Sequence, residues 1–135
     1  MFAIIDKGIL TKHMSSEELA HSITRLSLTK KAEDVVILDL RKLTNMTDFF
    51  VICSGETDIQ VKAITDAVLD GLVEQKIKPW HKEGYDTCTW VLLDFVDVVA
   101  HIFHKNSRSY YQLEELWGDA PVTTITDTID EIHKE

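Results

Sequence analysis

The chain has 135 residues, the length of one ordinary domain, enough to bury a single core without metal or disulfide support. Its 23 acidic and 14 basic side chains give a formal net charge of -9, which repels phosphate backbones and argues against gripping RNA or DNA through the general surface. A basic protein partner suits such a surface better.

The two cysteines, Cys53 and Cys88, form no CxxC pair, so neither a zinc knuckle nor a redox dithiol is indicated and a reduced, cytoplasmic setting is expected. The opening MFAIIDKGIL is interrupted by Asp6 and Lys7, and no apolar run reaches the roughly 18 residues of a membrane span, so neither secretion nor a membrane-spanning segment is expected.

Residues 1–14 read as an N-terminal arm without clear periodicity, for which a short strand and a disordered arm both stay open. Residues 15–120 read as the domain, and residues 121–135 as an acidic tail. Ser15 and Glu18 have capping-box spacing, and Leu19, Ile23 and Leu26 repeat at helical spacing, which predicts a helix over 16–31. Two continuous apolar runs, 35–40 (VVILDL) and 49–53 (FFVIC), predict central strands covered on both faces. Asp58 is a candidate cap for a second helix, whose buried face would be Val61, Ile64, Val68 and Leu72. Pro79, Gly84 and several charges make 78–87 a loop.

Trp90 to Phe95 and Val98 to Phe103, separated by Val96-Asp97, predict a β-hairpin. A helix should follow, capped by Ser107, striped by Tyr110, Leu113 and Trp117, and ended by Gly118 in a left-handed conformation. In the tail, Ile125, Ile129 and Ile132 could form a weak amphipathic helix, mobile or dependent on a partner. The element order implies an α/β or α+β layered domain with a mixed sheet and flanking helices.

Six stretches in one order carry a family resemblance: KAEDVVILD (31–39), TDFFVICSG (47–55), QVKAI (60–64), EG (83–84), LLDFVDVV (92–99) and RSYYQLEELW (108–117). Over roughly residues 17–120 the chain resembles the Iojap-type ribosomal silencing factors. The resemblance implies a nucleotidyltransferase-like fold and translational repression without catalysis. It implies binding to the large ribosomal subunit through a protein of its intersubunit face, large-subunit protein fourteen, which would block subunit joining. It further implies a hairpin contact surface, with Trp90 and Phe95 as anchors and Glu83, Asp94 and Asp97 as acidic surroundings, and a possible homodimer. No cofactor or metal is implied. One departure stands out: the family's Gly-Asp hairpin turn is Val96-Asp97 here, and because Gly enters positive φ without cost, Val96 suggests a different turn type.

An enzymatic alternative, a nucleotidyltransferase-like nucleotide-binding enzyme or relic, would use Asp94 and Asp97 to hold Mg²⁺. Such a site normally presents a Gly-Ser turn and an Asp-x-Asp pair on a strand, whereas here Ser54-Gly55 is reversed, the carboxylates are spaced Asp-x-x-Asp, and no basic phosphate cradle lies nearby. His101 and His104, three apart on a strand, point to opposite faces and cannot share an ion. His81 beside Trp80 has no nucleophile in a recognisable constellation and reads as a loop residue. Of the aromatics Trp80, Trp90, Phe95, Tyr110, Tyr111 and Trp117, Trp117 and one tyrosine should fill the core, leaving Trp90 and Phe95 as candidates for an interface.

Overall fold

A computed structural model describes residues 14–126 together with Phe2–Ile4 and Leu10–Lys12. Those two N-terminal segments, β1 (Phe2–Ile4) and β2 (Leu10–Lys12), pair antiparallel as a separate two-stranded ribbon. Six further strands form the main sheet: β3 (Glu33–Asp39), β4 (Phe49–Gly55), β5 (His81–Glu83), β6 (Trp90–Asp94), β7 (Val98–His104) and β8 (Val122–Ile125). Their order is β5-β6-β7-β4-β3-β8, with β4 and β7 parallel and every other neighbour antiparallel, so the sheet is mixed as expected.

The first helix, α1 (Ser16–Leu28), is set by its own sequence. Ser15 Oγ accepts from the Glu18 amide at 3.1 Å while Glu18 Oε1 accepts from the Ser15 amide at 2.9 Å, the reciprocal capping box. It stops short of the expected Lys31, which adopts a left-handed φ of 61° on the way into β3. In α2 (Asp58–Val73) the cap is Thr57 rather than Asp58: its hydroxyl accepts from the Gln60 amide at 3.0 Å, and Asp58 is the first helical residue. The predicted stripe Val61, Ile64, Val68 and Leu72 is buried. Where the helices meet, Gly71 lets Leu26 of α1 lie against the α2 backbone, space that a Cβ would take.

Alternation along the strands then divides the core in two. Val35, Ile37, Val51, Cys53, Val91, Leu93, Ala100 and Ile102 point to α1 and α2 and form the larger cluster. Val36, Leu38, Ile52 and Phe103 point to the other face and form the smaller cluster with Leu40, Leu113 and Ala120, against which Phe50, Trp90 and Trp117 pack partly buried. Among the described residues no helix is long and apolar enough to cross a membrane.

Three expectations are corrected. The 78–87 loop contains β5, an edge strand whose side chains are all exposed and therefore carry no hydrophobic period. The tail contributes β8, which pairs with β3 through Val122 to Ile125 instead of forming a helix there; Ile129 and Ile132 lie outside the described residues. The helix expected after Ser107 is two short pieces, α3 (Lys105–Tyr111) and α4 (Leu113–Leu116), split by Gln112 at φ 49°. Its cap is His104, whose Nδ1 accepts from the Asn106 amide at 3.2 Å, and Gly118 is not left-handed.

Candidate partner-binding face

The lightly covered face of the sheet carries a continuous aromatic layer. Trp90 stacks on Phe103 at 4.8 Å between centroids and leans on Tyr111 at 4.9 Å, and Tyr111 meets Tyr110 edge-on at 5.0 Å. On its other side the Trp90 indole N–H donates to His101 Nδ1 at 3.1 Å. Phe50 meets the His101 ring edge-on at 4.5 Å and Trp117 meets Phe50 at 5.8 Å. Because the chain turns left-handed at Gln112, no long helix among the described residues lies across this layer. Tyr110 is 81% exposed, Tyr111 50% and Leu116 75%, whereas Trp117 packs partly into the cluster beneath; neither tyrosine is the core residue expected.

The hairpin residues singled out from sequence do not all share this face. Glu83 stands opposite Leu92 in the β5–β6 register, and Trp90, Leu92 and Asp94 share one side of β6, so Trp90, Glu83 and Asp94 lie on the same face of the sheet. Phe95 goes the other way, packing on the larger cluster in a groove with Met14 and Ile77. Asp97 is exposed at the tip, where its carbonyl accepts from the Asp48 and Phe49 amides at 2.8 and 3.2 Å. Val96 enters positive φ after all, at 78°, and the Asp97 amide donates back to the Phe95 carbonyl at 3.0 Å in a γ-turn. Asp94 Oδ1 accepts from the Val96 amide at 2.7 Å, holding a β-branched residue where glycine is favoured.

Two networks position the face. Tyr85 donates to Asp66 at 2.7 Å and accepts from Lys62 at 2.8 Å, with Lys82 4.8 Å above its ring, which ties the loop before β6 to α2. The Tyr85 hydroxyl, and then Asp66, hold the Lys62 ammonium above its ordinary pKa. In the same loop Gly84 is left-handed at φ 80°, with its missing Cβ facing the Trp90 carbonyl. On the far side Arg108, 12% exposed, donates to the Asp34 carbonyl at 2.7 Å and Ser54 Oγ at 2.8 Å. Its Nε and Nη2 clasp Glu114 at 3.2 and 2.8 Å, fixing α3 and α4 to the sheet.

The sequence did not reveal Arg108 as this tie, because its partners lie up to 74 positions away. The histidines behave as their spacing implies: His101 is buried in the sheet and His104 caps α3. Burial drives the His101 pKa down to about 3, so its ring is neutral. His81 Nε2 lies 2.6 Å from Glu83 Oε2 at the edge strand. Cys53 and Cys88 are both free and buried, and burial pushes the Cys53 thiol up to about 12.

Residues 13–135 match the family model described as ribosomal silencing factor during starvation. The ribosomal silencing factor RsfS of Halalkalibacterium halodurans is 43% identical over 116 residues, covering 86% of this chain and 99% of that protein. That of Bacillus subtilis is 47% identical over 96 residues, covering 71% of this chain and 81% of its relative. A crystal structure of a Bacillus halodurans protein superposes with a TM-score of 0.72 at 40% identity, over 81% of this chain and 99% of that one. The chain belongs to the ribosomal silencing factor family.

Proposed function

We propose that this chain binds the large ribosomal subunit through a basic ribosomal protein at the intersubunit face, large-subunit protein fourteen, and so keeps the small subunit from joining. The observation that carries the proposal is the half-covered aromatic face beside two acids, Glu83 and Asp94. Trp and Tyr anchor protein interfaces because they bury large area at little entropic cost, and carboxylates around them complement a basic partner. Trp90 is the central anchor, Glu83 and Asp94 its acidic border, and Asp97 the rim at the hairpin tip, which Phe95 supports from the opposite face. The mechanism is steric occlusion and uses no catalytic group. The names carried by its relatives support the ribosomal side of this reading.

The test is fractionation on sucrose gradients with separated ribosomal subunits. The protein should travel with large and not small subunits, lower the yield of joined ribosomes when added first, and bind less tightly as salt rises. Equal recovery of joined ribosomes with and without the protein would sink the proposal.

A further inference from the structure

His101 is 4% exposed at the centre of the aromatic layer, and its Nε2 has no hydrogen-bond partner among the described residues. The tautomer follows from its neighbour. An indole N–H can only donate, so His101 Nδ1 is the acceptor, and the proton of the neutral ring resides on Nε2. A buried N–H without an acceptor is destabilising, and most native structures avoid one. Of the rings around it, Phe50 is only partly buried and meets His101 edge-on, so it can turn aside while the Trp90 hydrogen bond that sets the tautomer stays in place.

We propose that His101 Nε2–H is the polar anchor of this face, donating to a main-chain carbonyl of the docked protein once the Phe50 ring turns aside, with the Trp90 indole still donating to Nδ1. The inference rests on the partner-binding reading above and names the group that fixes the partner's register. A carbonyl fits better than a carboxylate: an anion there would be desolvated between aromatic rings and repelled by Glu83 and Asp94. The aromatic rings supply contact area, and the single donor supplies direction, since docking out of register leaves it unpaired.

The experiment compares purified large subunits binding to the full chain and to His101→Phe, with thermal melting in parallel. His101→Phe keeps the apolar volume and deletes the donor, together with the Nδ1 acceptor of the Trp90 indole N–H. Because one unpaired N–H is removed and another is left behind, it should melt near the parent temperature, and it should bind about tenfold more weakly, the scale of one neutral hydrogen bond. Parent-like binding by a well-folded His101→Phe overturns the inference, while loss of binding in Trp90→Ala in the same series shows that the face itself is correctly assigned. If the unaltered protein fails to bind large subunits, the partner-binding reading falls and takes this inference with it. Should His101→Phe melt early, the comparison passes to His101→Gln and His101→Leu, of which only the amide donates. Tighter binding by His101→Gln is then expected, and equal binding by the two overturns the inference.

Discussion

Trp90 and Phe95 belong to one strand and its turn, yet Trp90 packs on the smaller core cluster and Phe95 on the larger, through opposite faces of the sheet. They should therefore answer differently to truncation. Trp90→Ala should weaken subunit binding by about 2 kcal/mol or more, roughly thirtyfold, because it removes an anchor. Phe95→Ala removes a half-buried ring from the groove beside Met14 and Ile77; it should lower stability by about 2 kcal/mol and leave the affinity of the folded protein near the parent's. Asp97→Asn, at the rim, should alter association rate and salt dependence more than dissociation. Melting curves must accompany the binding assays. Parent-like melting and affinity in both Trp90→Ala and Phe95→Ala would remove the hairpin from the contact surface.

Val96 holds φ 78° with its side chain 53% exposed, so the position carries backbone strain and little burial in return. A β-branched residue there costs about 1 kcal/mol or more relative to one that enters this region freely. Val96→Gly should raise the urea midpoint by an amount equivalent to about 1 kcal/mol, diminished by the extra freedom glycine gives the unfolded chain. A lower midpoint would mean that Val96 contributes packing at the tip that outweighs its strain.

What could be read from the chain is what is encoded locally. The Ser15–Glu18 box and the Val61, Ile64, Val68, Leu72 stripe each involve neighbours within a few turns, and both stand as predicted. The hairpin was equally legible, since its two apolar runs are adjacent. What escaped depends on distant partners. β5 (His-Lys-Glu) and β8 (Val-Thr-Thr-Ile) are edge strands made by pairing with β6 and β3, and neither carries a hydrophobic period. The break at Gln112 sits between two residues held by the Arg108–Glu114 clasp, which a helical stripe through Tyr110, Leu113 and Trp117 does not reveal. The candidate face was legible only in part: alternation assigns Trp90 and Asp94 to one side, but bringing Glu83 beside them needs the β5–β6 register.

Arg108 gives a test of how this second face is held. It satisfies Asp34, Ser54 and Glu114 from a nearly covered position, so Arg108→Ala would leave a carbonyl, a hydroxyl and a half-exposed carboxylate without their donor. Breaking such a group should cost about 3 kcal/mol in urea unfolding and loosen α3 and α4, with faster amide exchange at Leu113. Arg108→Lys should recover little, because an ammonium cannot bridge all three acceptors as the guanidinium fork does. Full stability in Arg108→Lys would show that charge alone, without the fork geometry, holds the two helices.

His101 also predicts how stability changes with pH. Its folded pKa, lowered to about 3 by burial, lies below the ordinary value of 6.5, so between these values the unfolded chain binds a proton that the folded chain refuses. The stability this group contributes is therefore fully present above pH ~6.5 and is lost as pH falls toward the folded pKa, with a limiting slope of about 1.4 kcal/mol per pH unit. Carboxylates held low in the fold, such as Asp39 through its hydrogen bonds from Arg41, add losses of the same sign, but mainly below pH ~4 where they begin to protonate. Glu33, whose carboxyl is raised by desolvation and by Glu56, contributes with the opposite sign in parent and variant alike, so between pH 6.5 and 5 the difference between the two isolates His101, and urea unfolding there should show His101→Phe losing distinctly less stability than the parent. If parent and variant decline in parallel through that window, His101 titrates in the folded protein much as it does unfolded. The ring would then be reached by water, and the aromatic layer would not be the closed cover that its contacts with Phe50, Trp90 and Phe103 describe.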